Sequence, residues 1–153
     1  MVKFVKANLS DIADMQNIVG DSVEDGAILR RSDDEVATNI RSYTLAKSGD
    51  EIIGYLALHI HSLRLAEIRS LIVSERYRGD RIGSRLVKIA LQEAKELGVK
   101  EVLVLTYLPH FFKKLGFIEI PKETIPEHKI WTDCIKCIHF PVCNEISLIY
   151  KEE

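Results

Sequence analysis

The sequence predicts a single mixed α/β domain (α+β in arrangement) with a mainly antiparallel sheet flanked by helices. Three observations predict it. Two strand patterns join through a short glycine turn near residue 49, an apolar strand runs through a basic glycine turn into an amphipathic helix, and further strands come after it. The 153 residues hold no internal repeat, low-complexity tract or Pro/Gly/Ser-rich linker, so residues 1–153 are expected to form one domain.

Val2–Lys6 alternates like a short strand. Ser10 suits a helix N-cap with Asp11 in the first turn, ahead of Ile12, Met15, Ile18 and Val19 on one face. Ser32-Asp33-Asp34-Glu35 is a capping-box pattern, succeeded by Val36 and Ile40 at helical spacing. Residues 43–46 and Glu51–Ile60 read as strands joined through Lys47-Ser48-Gly49-Asp50. Leu65–Val73 is another strand, and 81–97 a long helix whose stripe is Ile82, Leu86, Ile89, Ala90, Ala94 and Leu97, stopped by Gly98. Glu101–Thr106 is a continuous apolar run, as expected of a strand buried on both faces. A short helix over 109–115 ends at Gly116, and 145–150 reads as a final strand.

Composition bounds the function. The formal charge of −2 gives no electrostatic case for a nucleic-acid or anionic-membrane partner. No apolar run approaches the roughly 18 residues that span a bilayer. The amino terminus loses its apolar character too early for a signal peptide. Three cysteines crowded into 134–143 do not describe a disulfide-framed secreted domain, so a cytoplasmic protein acting on small molecules is expected.

The strongest local signal runs from Glu67 to Leu86: an apolar strand, a basic glycine turn, and a helix opening directly from it. Backbone N–H groups at a helix start lack partners, and the dipole there favours an anion. Gly79 and Gly83 remove side chains where a phosphate would approach, and Arg76, Arg78, Arg81 and Arg85 add positive charge. A pyrophosphate is the natural ligand. The G-x-G-x-x-G spacing and the Gly-Lys-Ser/Thr ending of other nucleotide sites are both missing.

At Arg78-Gly79-Asp80-Arg81-Ile82-Gly83 the sequence resembles the GNAT superfamily of N-acetyltransferases, whose hallmark is Arg/Gln-x-x-Gly-x-Gly/Ala. Arg81 stands where that family usually has its first glycine, and Leu115-Gly116-Phe117 matches the family's second CoA-contacting segment. Glu67-Ile-Arg-Ser-Leu71, the segment from Leu105 to Phe117, and the stretches around Trp131 and Phe140 are similar to the short, stand-alone bacterial N-acetylglutamate synthases. The resemblance implies the GNAT acetyltransferase fold, its sheet splayed where the acyl chain enters, without an amino-acid-kinase domain. It implies acetyl transfer from acetyl-CoA to the α-amine of L-glutamate, the first step of arginine biosynthesis. It places the pyrophosphate on Arg78, Gly79, Asp80, Arg81, Ile82, Gly83 and Ser84, with Phe112 also at the CoA site. The backbone of Leu71, Ile72 and Val73 is expected to pair with the pantetheine arm. Dimers are common in the superfamily, so a homodimer is expected.

An ammonium cannot attack a thioester until it loses a proton. Glu67 lies where related enzymes carry a general-base glutamate; the alternative is an exposed strand carboxylate. Arg69 shares its strand face and could hold a substrate carboxylate bidentately, or be a surface arginine. Phe112 stands where many members have a tyrosine acid, leaving Tyr107 as a substitute acid or as packing. No Cys/His arrangement points at the turn, so direct attack is expected rather than a covalent cysteine.

Cys134, Cys137, His139 and Cys143 could bind zinc tetrahedrally or form a loop of reduced cysteines; no metal is expected to be required. Lys129, in the same stretch, is a further candidate partner for a substrate carboxylate, and Trp131 is either a site residue or a core anchor. The competing functions are a GNAT for another amino acid, a polyamine or a protein amine, and a non-catalytic acyl-CoA sensor.

Overall fold

The computed structural model describes residues 1–24 (side chains to residue 18), 31–77, 79–121, 124 and 146–151. β1 (Val2–Lys6) leads through a 3-10 turn at Leu9–Asp11 into α1 (Ile12–Glu24), and α2 (Asp33–Thr38) precedes β2 (Tyr43–Ser48), β3 (Glu51–Ile60) and β4 (Leu65–Val73). Then come α3 (Ile82–Leu97), β5 (Glu101–Thr106), α4 (Pro109–Lys113), β6 (Ile118–Ile120) and β7 (Ile146–Lys151). Among the described residues, seven strands form one sheet in the order β1-β2-β3-β4-β5-β7-β6. Only β4 and β5 run parallel among its neighbouring pairs, so the sheet is mixed and mainly antiparallel.

The local signals explain most boundaries. Ser32 caps α2, its hydroxyl accepting from Glu35 N–H at 3.1 Å while its own N–H donates to the Glu35 carboxylate at 3.3 Å. The first helix begins differently from expectation. Asn8 rather than Ser10 flanks it: Asn8 N–H donates to Asp11 Oδ2 at 2.8 Å, and Ser10 lies within the 3-10 turn. Between β2 and β3 the loop shrinks to Gly49-Asp50, with Gly49 at φ 62, so Lys47 and Ser48 join the ladder. Gly98 ends α3 in the left-handed region, its N–H reaching the carbonyls of Ala94 and Lys95. The α3 stripe also differs: Val87 and Leu91 are buried, while the terminal Leu97 is exposed and Val99 beyond the turn is buried.

The sheet has apolar packing on both faces. Ile82, Leu86, Ala90 and Ala94 of α3 pack on Ile53, Leu56, Ile68, Val102 and Leu148. On the other face Met15 and Val36, from α1 and α2, pack with Tyr43, Leu45, Tyr55, Ala57 and Ile72. Leu65, Leu103 and Ile149 form a smaller cluster. Each fully buried aliphatic side chain stabilises the fold by about 1.5–3 kcal/mol, which holds β4 and α3 as rigid mounts for the turn between them.

Candidate active site

The turn from β4 leads into the start of α3, as its sequence predicts. Gly79 sits at φ 95 and Arg81 at φ 64, so Arg81 adopts the left-handed conformation that glycine takes most readily. Among the described residues no side chain caps the helix. Arg85 N–H donates to Arg81 O at 3.0 Å, the first bond of the helix. The N–H groups of Ile82, Gly83 and Ser84 therefore have no intrahelical acceptor, and with the helix dipole they make a seat for an anion. Asp80 N–H is already engaged, donating to Tyr77 O at 3.3 Å. Two of the surrounding arginines are held locally. Arg76 pairs with Glu51 at 3.2 Å, and the Arg85 guanidinium lies 4.5 Å over the Phe4 ring. Arg78 lies outside the described residues.

Beside the turn, the sheet opens. β4 pairs with β5 only through Leu65, Ala66 and Glu67, opposite Glu101, Val102 and Leu103. From Ile68 onward β4 keeps only its pairing with β3, which a bulge interrupts: Tyr55 faces Ile72 and Ala57 faces Arg69, leaving Ser70 and Leu71 opposite Leu56 alone. Ser70 carries the turn of the bulge at φ 60. The extra residue reverses the facing of the strand beyond it, so Ile72 joins the α1/α2 side while Leu71 and Val73 pack toward the α3 side. Gly54 lets β4 lie close to β3, because a β-carbon there would stand 2.9 Å from Ile72 O. The backbone of Leu71–Val73 thus runs along the opening, next to the helix start.

Glu67 is the last β4 residue paired with β5. It is not an exposed strand carboxylate: its side chain is 2% exposed, and Oε1 lies 2.9 Å from Nε2 of His61, itself 3% exposed. The His59 ring meets His61 edge-on at 4.7 Å. Arg69 is half-buried two residues further along, before the bulge, and its charge acts on the Tyr43 hydroxyl. Burial raises the Tyr43 phenol above its ordinary value, against the opposing pull of Arg31, Arg69 and a hydrogen bond with Ser70. Tyr55 is raised further, again by burial, with Tyr43 adding to the effect and Arg31 opposing it. Two guanidinium groups and two phenols therefore share the sheet face that carries Glu67. Ser147 lies on that face too, opposite Leu105, and its Oγ is buried with no hydrogen-bond partner among the described residues.

Phe112 is a core residue, 3% exposed, with its ring centroid 5.3 Å from that of Phe117. Its neighbour Phe111 is the ring beside the phosphate turn, 3.4 Å from where a β-carbon on Gly83 would stand. Helix geometry separates the two, since adjacent residues point about 100° apart. Tyr107 follows β5 and is 40% exposed. Lys129, Trp131, Cys134, Cys137, His139 and Cys143 lie outside the described residues. Among the described residues no cluster of three His, Cys, Asp or Glu side chains could hold a metal, and no helix is long and apolar enough to cross a membrane. His61, Gly54, Arg31 and Ser147 escape a motif reading. A glycine inside the strand pattern 51–60 was a usable signal of close backbone approach.

Similarity to known proteins agrees with this geometry. The model of the acetyltransferase (GNAT) family matches residues 9–117. An uncharacterized N-acetyltransferase of Chlorobaculum tepidum is 38% identical over 143 residues, covering 94% of this chain and 92% of that protein. An amino-acid acetyltransferase of Vibrio cholerae is 28% identical over 126 residues, 81% of this chain, but the match spans only 28% of that longer protein. Among solved structures, N-acetylglutamate synthase of Neisseria gonorrhoeae complexed with coenzyme A and N-acetyl-glutamate superposes with a TM-score of 0.90 at 20% identity. That match covers 100% of this chain and 35% of the synthase. A Mycobacterium tuberculosis protein in complex with CoA gives 0.83 at 22% identity, covering 100% and 99% of the two chains. At these identities the structural likeness is one of fold.

Proposed function

The chain belongs to the acetyltransferase (GNAT) family, and from that premise we propose that it transfers acetyl from acetyl-CoA to the α-amine of L-glutamate. The observation that carries this reading is the grouping on one face of β4, where the strands part, of a buried carboxylate, Glu67, with the Arg69 guanidinium; Arg31, paired with Glu35 at 3.9 Å, acts on the Tyr43 and Tyr55 phenols of the same face. A carboxylate beside the reacting centre suits removal of an ammonium proton. Arginines suit an acceptor that brings carboxylates of its own, and a polyamine would call for the opposite charge.

The helix start at Ile82, Gly83 and Ser84 holds the pyrophosphate of acetyl-CoA through backbone N–H groups, so Arg81 in place of glycine leaves that seat intact. The edge of Leu71–Val73 lies where the pantetheine arm can pair, laying the thioester in the gap between β4 and β5. Glu67 accepts a proton from the α-ammonium of the acceptor, directly or through water. The free amine attacks the thioester carbonyl, a C–N bond forms, the C–S bond breaks, and CoA leaves as its thiolate. That thiolate is a weak enough base to need no side-chain acid. Arg69, with Arg31 and Ser147, holds the acceptor's carboxylates, and Lys129 is a further candidate for that role. Similarity to the amino-acid acetyltransferase of Vibrio cholerae supports the acceptor class.

Replacing Arg69 tests the acceptor. In Arg69→Ala the apparent KM for L-glutamate should rise by about tenfold or more, while the KM for acetyl-CoA stays put. An unaltered KM for glutamate would return Arg69 to a structural part.

A further inference from the structure

His61 has no part in any motif, yet it makes the contact that defines the buried carboxylate. We propose that His61 is the positioning residue for Glu67: its imidazole Nε2–H donates to Oε1 and keeps the buried carboxyl ionised, aimed and ready to take the acceptor's proton. This rests on Glu67 as the base.

Three observations carry it. First, both side chains are almost wholly removed from water, at 3% and 2% exposure, with 2.9 Å between Nε2 and Oε1. A carboxylate so placed is disfavoured by desolvation and needs donors to stay charged. When Glu67 is ionised, only the Nε2-protonated imidazole can supply one across that distance. Second, the histidine is itself held. His61 N–H donates to Leu65 O at 2.9 Å, and Ser62 Oγ accepts from Leu65 N–H at 3.1 Å, tightening the turn from β3 to β4. The His59 ring, from the residue that pairs across the strands with Glu67, closes on His61 edge-to-face. Third, the pair sits at the last register position before β4 and β5 separate. A buried carboxylate and its hydrogen-bond partner are a poor way to stabilise a sheet, since an apolar pair of similar volume commonly serves as well or better. A polar pair kept at the mouth of the opening is accounted for by chemistry.

The proton passes from the ammonium to the Glu67 carboxylate, and no other bond changes in that step. The titratable and charged groups that share this sheet face are His59 and Tyr55 of β3, Tyr43 of β2, Arg69 of β4 and Arg31 ahead of α2. Glu35 of α2 also acts on Tyr43 and pairs with Arg31 at 3.9 Å; all of these groups remain when His61 is changed, so the His61 contribution is read as a difference.

Two variants with different hydrogen-bonding capacity make the test, each checked for fold by circular dichroism and for acetyl-CoA affinity by calorimetry. His61→Leu removes the donor: kcat should fall on the order of 10–100-fold, and the acidic limb of the kcat profile should move up by about one pH unit, with acetyl-CoA affinity unchanged. His61→Gln, whose amide N–H reaches the same place, should restore most of the rate and return the limb toward its original position. A folded His61→Leu with unchanged kcat and limb would overturn the inference, and so would His61→Gln as impaired as His61→Leu. Glu67→Gln run beside them separates the causes. If it retains full rate, the base assignment falls and this inference with it; if it is inactive while His61→Leu is not impaired, only the role of His61 falls.

Discussion

Gly54 of β3 stands so close to Ile72 of β4 that a β-carbon would lie 2.9 Å from the Ile72 carbonyl oxygen and 3.4 Å from the Val73 α-carbon. These are backbone atoms, which cannot swing away as a flexible side chain would. They belong to the edge proposed to pair with the pantetheine arm. Gly54→Ala must therefore displace that edge or strain β3, costing about 1–3 kcal/mol. A lower melting temperature and weaker acetyl-CoA binding, with KM for glutamate less affected, is the expected result. Calorimetric titration with CoA measures it.

Gly83 lies in the first turn of α3, where a β-carbon would stand 3.4 Å from the Phe111 ring and 3.7 Å from Val73. Gly83→Asp adds both a side chain against the Phe111 ring and a negative charge at the N–H groups proposed to hold pyrophosphate. CoA affinity should fall by at least about 100-fold, equivalent to the loss of two charge-assisted contacts. Affinity close to that of the unaltered protein would remove the phosphate from this turn.

Much of this architecture was legible because local chemistry and tertiary packing agreed. The Ser32 capping box, the Gly98 stop and the β4-turn-α3 unit form as their residues predict. The proposed phosphate turn was readable as a candidate because its groups are consecutive in the chain, and Glu67 and Arg69 because they share one strand face. The groups around them were not, because they meet those residues only across strands or turns. His61 reaches Glu67 through the turn from β3 to β4, Arg31 reaches Tyr43 and Tyr55 from ahead of α2, and Ser147 joins from β7. Phe112 went to the core because a motif position does not reveal which way a short helix faces. Ser10 lost the cap because it lies inside the 3-10 turn Leu9–Asp11, whose N-cap is Asn8.

Ser147 gives stability and activity opposite signs. Ser147 is 1% exposed and its hydroxyl has no partner among the described residues; a buried hydroxyl left unpaired costs roughly 1–3 kcal/mol. Ser147→Ala should therefore melt at the same temperature or higher, while KM for the acceptor rises. Thermal unfolding and steady-state kinetics on one preparation decide it. A destabilised variant with unchanged KM would mean that the hydroxyl serves the fold.

Alkaline stability should be limited by Tyr43 and Tyr55, whose rings meet edge-on at 5.7 Å. Burial raises both phenols above the ordinary 10.0, so the folded state holds their protons more tightly than the unfolded chain does. The associated stability is present in full below pH 10 and is lost as pH rises from there through the folded-state values. Denaturant titrations from about pH 8 to about pH 11 should show declining stability, and Tyr55→Phe should make the decline shallower. An identical slope in the variant would assign the loss to other groups.

CoA release from acetyl-CoA, measured across amino acids, polyamines and short peptides with the product identified by mass, addresses the proposed reaction most directly. Turnover with L-glutamate giving N-acetylglutamate, and none with polyamines or peptides, is the expected result. Turnover with a polyamine or peptide and none with glutamate would contradict the acceptor, and acetyl-CoA binding without turnover of any amine would contradict catalysis itself.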